Sequence, residues 1–174
     1  SGYEWKPIEG FGEYLFDGGK ADGFSINGLN APLFGTTAAT IQNLNLTDVN
    51  ITITDRTQAG AVACKLTGAA MTNVSASGAL VVNNTTFTTT ASMANFDVIN
   101  YGGLVGIAGG VAFENCENRV NITVQSIVDL DWAVAAVEAK STAVPRGTIG
   151  GAVGAAHSKS SFTNIDNYGT ITIA

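Results

Sequence analysis

The pattern apolar–polar–Asn–apolar occurs four times, and it constrains the fold more than any other feature of the chain. It reads Ile41-Gln42-Asn43-Leu44, Met71-Thr72-Asn73-Val74, Phe113-Glu114-Asn115-Cys116 and Phe162-Thr163-Asn164-Ile165. The Asn residues stand 30, 42 and 49 positions apart. Before each lies a small, apolar run: Leu33-Phe34-Gly35, Ala61-Val62-Ala63, Leu104-Val105-Gly106 and Ala152-Val153-Gly154. After each comes a segment of strand character: Val49 to Ile53, Ala79 to Val82, Val120 to Val124 and Gly169 to Ile173. Self-similarity of this kind is the signature of stacked repeats.

One unit therefore reads as strand, turn, short strand, turn, strand. Such strands are too short to bury an apolar face alone, and stacking each on its copy solves the problem. The chain is expected to be all-β, a right-handed parallel β-helix of irregular repeats. Asn tolerates the left-handed backbone region, and its amide can bond a neighbouring copy. Asn43, Asn73, Asn115 and Asn164 are thus expected to form a structural ladder. Ile41, Met71, Phe113 and Phe162 would make one internal stack, and Leu44, Val74, Cys116 and Ile165 another. Cys116 then fills an apolar slot, and Cys64 also has apolar neighbours; both read as buried thiols. An antiparallel sandwich is the competing arrangement, but it gives no reason for an Asn held between two apolar residues.

Composition agrees. Gly, Thr and Asn number 21, 20 and 15, together 56 of 174 residues, a bias towards turns and strands. With 45% hydrophobic and 13% charged residues, wholesale disorder is excluded. A net charge of -6 argues against nucleic-acid and anionic-membrane partners. The longest uncharged, fairly apolar stretch, Tyr101 to Phe113, is too short for a membrane helix. The absence of an initiator Met and of a basic leader suggests a processed or trimmed protein. Ile171 to Ala174 reads as a strand that either continues or packs as a final rung.

The segments Gly103-Leu104-Val105-Gly106 and Gly151-Ala152-Val153-Gly154, each followed by an apolar-x-Asn-apolar step and an Ile-Thr strand, resemble the GLUG repeat. The lead-in resembles that family too, from Phe16-Asp17-Gly18-Gly19 through Ile26-Asn27-Gly28-Leu29 to Leu33-Phe34-Gly35. The resemblance covers about two-thirds of the chain. It implies a bacterial surface or secreted protein, of the kind found among IgA-peptidase-type and adhesin-like proteins. The second copy departs from it, with Gly60-Ala61-Val62-Ala63 in place of Gly-Leu-x-Gly.

We expect a single domain over residues 1–174. It would comprise a lead-in at 1–35, repeats around 33–53, 60–82, 101–124 and 147–173, and insertions at 83–100 and 125–146. In the second insertion Leu130, Val134 and Val137 stand at helical spacing behind Asp129 and Asp131, so a short helix is expected there. Asp129, Asp131 and Trp132 are the candidate ligand surface; a solvated helix start is the plainer reading.

Little points to catalysis. His157 is the single histidine and is placed in a turn between repeat strands, and no C-x-x-C pair exists, so a His/Cys metal site is not expected. No G-x-S-x-G or phosphate-binding loop occurs. The acid pair Glu114/Glu117 reads as solvent-facing, with no cluster of Lys or Arg beside it. We expect no enzyme activity, no catalytic residues and no cofactor. The leading reading is a non-catalytic, adhesin-like module at the cell surface or outside the cell. Its partners would be host glycan or protein, or other domains of a longer chain, or it serves as a rigid spacer. The alternative is a carbohydrate-active β-helix enzyme or its sugar-binding accessory domain, with Trp5, Tyr101, Trp132 and Tyr168 as sugar-stacking candidates.

Overall fold

Strict alternation of apolar and polar residues, as in Asn50-Ile51-Thr52-Ile53-Thr54, puts one side chain inward and the next outward. A computed structural model describes residues 4–19, 24–54, 56–83, 99–125, 147–157 and 159–173. Among these residues the fold is all-β, with parallel pairing between its strands. The expected helix, like most of the second insertion, lies outside the described residues.

The strands in chain order are β1 (Leu15–Asp17), β2 (Phe24–Asn27), β3 (Phe34–Thr37), β4 (Thr40–Thr54), β5 (Gln58–Ala59), β6 (Ala63–Thr67) and β7 (Ala70–Asn83). They continue with β8 (Ile99–Gly102), β9 (Val105–Gly109), β10 (Ala112–Gln125), β11 (Gly147–Gly150), β12 (Val153–His157), β13 (Ser161–Asn167) and β14 (Ile171–Ile173). The largest sheet runs β1-β4-β7-β10-β13, with β2 also on β4 and β14 also on β10. A second runs β3-β6-β9-β12 and a third β5-β8-β11. From the second unit on, each successive unit places a strand in all three sheets.

The register makes the internal columns explicit. Phe16, Ile41, Met71, Phe113 and Phe162 are mutually paired, as are Ile51, Leu80, Ile122 and Ile171. Ile41, Met71, Ile51 and Leu80 are fully buried. Phe113 and Phe162 stack face to face, with ring centroids 5.0 Å apart. Each such side chain taken out of water contributes roughly 1.5–3 kcal/mol, and the columns sum that contribution along the stack.

Four details differ from the sequence reading. The Asn does not interrupt its strand: β4, β7 and β10 run through it as single strands of 15, 14 and 14 residues. The short strands β5, β8 and β11, which precede each corner, were not foreseen. The second repeat is displaced by one residue, because Phe34, Ala63, Val105 and Val153 share a register position. The counterpart of Gly103-Leu104-Val105-Gly106 is therefore Ala61-Val62-Ala63-Cys64, not Gly60 to Ala63. His157 ends strand β12, paired with Gly109, rather than lying in a turn. A further irregularity lies in β4, where the register shifts between Leu46 and Val49. Asp48 takes a φ of 52° there, a bulge that inserts one residue.

The two ends of the stack are unlike. At the N-terminal end Ile8 bridges to Phe34, its N–H donating to Leu33 O at 2.9 Å. Phe11 and Phe16 lie 5.5 and 5.3 Å from the Phe34 ring, and the indole N–H of Trp5 donates to Pro32 O. Residues 5–17 thus cover that end. At the other end Phe162, Ile171 and Ile173 are 49%, 42% and 66% exposed.

Candidate functional site

The repeated Asn occupies one special backbone position. Asn43, Asn73, Asn115 and Asn164 have φ of 54°, 54°, 52° and 50°. That region is costly for most L-residues but tolerated by Asn. The bend it introduces lets the apolar residues on both sides of the Asn turn inward. The amides join two of the three steps of the expected ladder: Asn73 Nδ2 donates to Asn43 Oδ1 at 3.1 Å, and Asn164 Nδ2 to Asn115 Oδ1 at 2.9 Å, while the step from Asn73 to Asn115 carries no such bond. Both donate towards the N-terminal end. There Asn43 Nδ2 donates to the Asp17 carboxylate at 2.9 Å, which closes the row with a group that can only accept.

Asp17 also accepts from the Gly19 N–H and from Gln42 Nε2, each at 2.8 Å. These bonds, the Gly19 N–H foremost, hold its carboxyl below its ordinary value of 3.8. A depressed folded-state value means the contribution is complete above the unfolded value and lost as pH falls through the folded one. Acidification below pH 4 is therefore expected to release the Asn43 side-chain amide and the Gly19 N–H. NMR of both groups between pH 5 and 2 checks this, and Asp17→Asn removes the pH dependence.

A second Asn pair lies inside the fold, and the sequence reading did not single it out. Asn118 is fully buried. Its Nδ2 donates to Asn167 Oδ1 at 2.8 Å and to Gly151 O at 3.0 Å, and its Oδ1 accepts from the Val120 N–H at 3.1 Å. This amide fills the space a Cβ on Gly103 would need, and Asn167 does the same at Gly151. The sequence holds only a faint trace of the pairing: Asn118 follows Gly103 by 15 residues and Asn167 follows Gly151 by 16. In the second unit the register places Ala61 at the Gly103 position and Ala76 at the Asn118 position. A smaller partner thus accompanies the added methyl.

The two thiols are buried and free. Burial pushes Cys64 up to about 11, with Arg56 opposing and Glu9 adding to the shift. Burial also raises Cys116, whose Sγ donates to Met71 O at 3.4 Å. Because the folded state favours the neutral thiol, this stability is intact below the ordinary thiol range and lost as pH rises above it, for Cys64 from about 9 towards about 11. Neither thiol is expected to react with iodoacetamide at pH 8 until urea unfolds the chain. Labelling of the native protein at the unfolded rate would contradict this.

On the outward face Glu117 pairs with Arg119, whose guanidinium lies 4.3 Å from the centroid of the Tyr168 ring. A single Arg thus stands beside the acid pair, its charge already engaged. Tyr101 is not a surface aromatic: it is fully buried and its hydroxyl donates to Arg56 O at 2.6 Å. Trp5 is half-buried against the lead-in, while Tyr168 is exposed. Asp129, Asp131 and Trp132 lie outside the described residues. Among the described residues no group of three or more His, Cys, Asp and Glu gathers as metal ligands. No helix among them is long and apolar enough to cross a membrane.

The distal parts of β4, β7 and β10, from Asn50, Ala79 and Asn121 onward, carry only uncharged outward groups. Their registered rows include Asn50, Ala79 and Asn121, then Thr52, Val81, Thr123 and Thr172. Neighbouring members of a row stand one strand spacing apart, about 4.8 Å.

No curated protein and no solved structure matches the chain. The GLUG repeat family is not matched by the family scan either. Residues 9–78 match the model of the N-terminal region of the M26 IgA1-specific metallo-endopeptidases, a region of bacterial surface and secreted proteins and not their catalytic part, and it is to this region that the first two units are similar.

Proposed function

We propose that this chain is a non-catalytic, adhesin-like module of a bacterial surface or secreted protein, built as a right-handed parallel β-helix of GLUG-type coils. The observation that carries the reading is the in-register growth of three parallel sheets, unit on unit, around shared internal columns. A rigid rod with repeated outward rows suits display and contact, since function in such folds sits on the exposed face. The similarity of residues 9–78 to an N-terminal region of bacterial surface and secreted proteins supports the same setting. The uncharged rows around Thr52 and Thr123 suit a neutral partner, a host glycan or a protein surface, better than a polyelectrolyte.

A glycan array and a panel of secreted host proteins, probed with the whole chain, test this. Binding that is lost on Thr123→Lys, with the fold intact by circular dichroism, is the expected result. Release of reducing sugar or peptide from those ligands would overturn the non-catalytic reading. The accessory-domain alternative rests on exposed Tyr168 beside Arg119. It requires sugar binding that Tyr168→Ala abolishes and Thr123→Lys leaves intact.

A further inference from the structure

Asn27 is followed by Gly28, and no other Asn of the chain precedes a glycine. We propose that this pair is a spontaneous modification site, at which deamidation of Asn27 sets a second carboxylate against Asp48 and frees strand β2 from β4. Asn27 is exposed at the end of β2. Its Nδ2 donates to Asp48 Oδ2 at 2.8 Å and to Thr47 Oγ1 at 3.0 Å. Asp48 is the inserted residue of the β4 bulge, so this contact ties β2 to the irregular point of its partner strand. Gly28 takes a φ of 74°, and the lack of a Cβ leaves its nitrogen unhindered.

The reaction needs only water as a co-reactant. The Gly28 nitrogen attacks Asn27 Cγ, the Cγ–Nδ2 bond breaks, and Nδ2 leaves as ammonia with the proton that Gly28 gives up. Water then opens the cyclic imide at either carbonyl. Breaking the new Cγ–N bond restores the ordinary main chain with a carboxylate on residue 27. Breaking the other bond leaves an isoaspartate, with one extra carbon in the main chain. In the folded chain the Gly28 N–H donates to Thr47 O at 2.9 Å, so the nitrogen is engaged and the reaction waits for β2 to open. That opening is local. Strand β2 has four residues, pairs only with β4 among the described strands, and has Ile26 as its one partly buried side chain.

Once the side chain has changed, closing again is opposed. Asn27 gives the Asp48 carboxylate a donor. The product gives it an acceptor of the same charge. The Thr47 hydroxyl can rotate and donate to the new carboxylate, but two carboxylates cannot satisfy each other. Each conversion thus holds β2 off β4. Neither product reverts to Asn, so the change accumulates with the age of the molecule. The inference rests on the contacts of the lead-in and not on what the outward face binds.

Peptide mapping by mass spectrometry of the whole protein held at pH 8 tests this. Asn27 is expected to convert ahead of every other Asn, and more slowly than in a free peptide of residues 24–31. Hydrogen exchange in the aged protein should rise about tenfold or more at the Gly28 and Asn50 amides, the loss of one hydrogen bond to a charged group. The Asn50 N–H serves as the second probe because it donates to Leu29 O at 2.8 Å, just past the bulge. Amides of β10 should keep their protection. Asn27→Asp made directly should exchange like the aged protein. Adding Asp48→Asn should restore protection, because donor and acceptor have then changed places and Asn tolerates the left-handed backbone at position 48. Earlier conversion of another Asn, failure of Asn27 to convert, or conversion as fast as in the free peptide would each overturn the inference. So would unchanged exchange in Asn27→Asp, or no recovery in the swapped pair.

Discussion

Gly103→Ala is expected to destabilise the protein by about 2–4 kcal/mol. The new methyl would overlap the Asn118 side-chain amide. Asn118 is fully buried and bonded to Gly151 O, Asn167 Oδ1 and the Val120 N–H, so it has nowhere to retreat without leaving those groups unpaired. Overpacking costs typically 1–3 kcal/mol, and each buried polar group left without a partner adds a similar amount. Asn118→Ala alone removes the amide and is expected to cost about 1–3 kcal/mol for the orphaned partners. The double change reproduces the Ala61 and Ala76 combination of the second unit. It should therefore cost less than the sum of the single changes, by more than about 1 kcal/mol, the coupling expected of residues in contact. Urea denaturation of the four proteins gives the cycle; strict additivity would show that the pair is not coupled.

Phe34→Ala is expected to cost about 3–5 kcal/mol, the range for deleting a buried aromatic side chain. Phe34 is fully buried, and its ring meets Phe11 and Phe16. It also holds the isolated bridge to Ile8, whose own N–H donates to Leu33 O and whose C=O accepts from the Gly35 N–H. The effect should have a local signature. Hydrogen exchange at the Ile8 and Gly35 amides is expected to rise to nearly unprotected rates while β10 amides keep their protection. A loss below about 1 kcal/mol with those amides still protected would show that the lead-in does not depend on Phe34.

The contrast between these two sites shows what the sequence could reveal. The outer Asn positions and the internal columns were legible because alternation fixes which residues face inward and the Asn marks the phase of each unit. In the second unit the phase is lost. Ala61, Val62, Ala63 and Cys64 are all small and apolar, so a slide of one residue leaves the pattern unchanged, and only strand pairing fixes the register at Ala63 with Val105. Strands β5, β8 and β11 have four residues or fewer, too few to show a period. Tyr101 looked like a surface aromatic because Asn100 and the glycines around it suggest a turn. Its burial follows from the strand those residues form and from the Arg56 carbonyl that receives its hydroxyl. The inner role of Asn118 was hidden for the opposite reason. A polar residue at an inward position breaks the alternation, and it is tolerated only because the Gly corners leave room and supply partners. The outward rows that carry the proposed function are composed of residues common everywhere in the chain, so nothing local marks them.

The central claim is that the units stack in parallel with Val81 opposite Thr123, and with Thr52 on the other side of Val81. Paired outward residues on adjacent strands stand about 4.8 Å apart, within disulfide reach, whereas an offset of two residues lengthens the separation beyond about 7 Å. In a Cys64→Ala, Cys116→Ala background, the Val81→Cys, Thr123→Cys protein should form its intramolecular disulfide readily, and the Ala79→Cys, Thr123→Cys protein should not. Efficient closure of the second pair with failure of the first would contradict the register on which the columns and the Asn row depend.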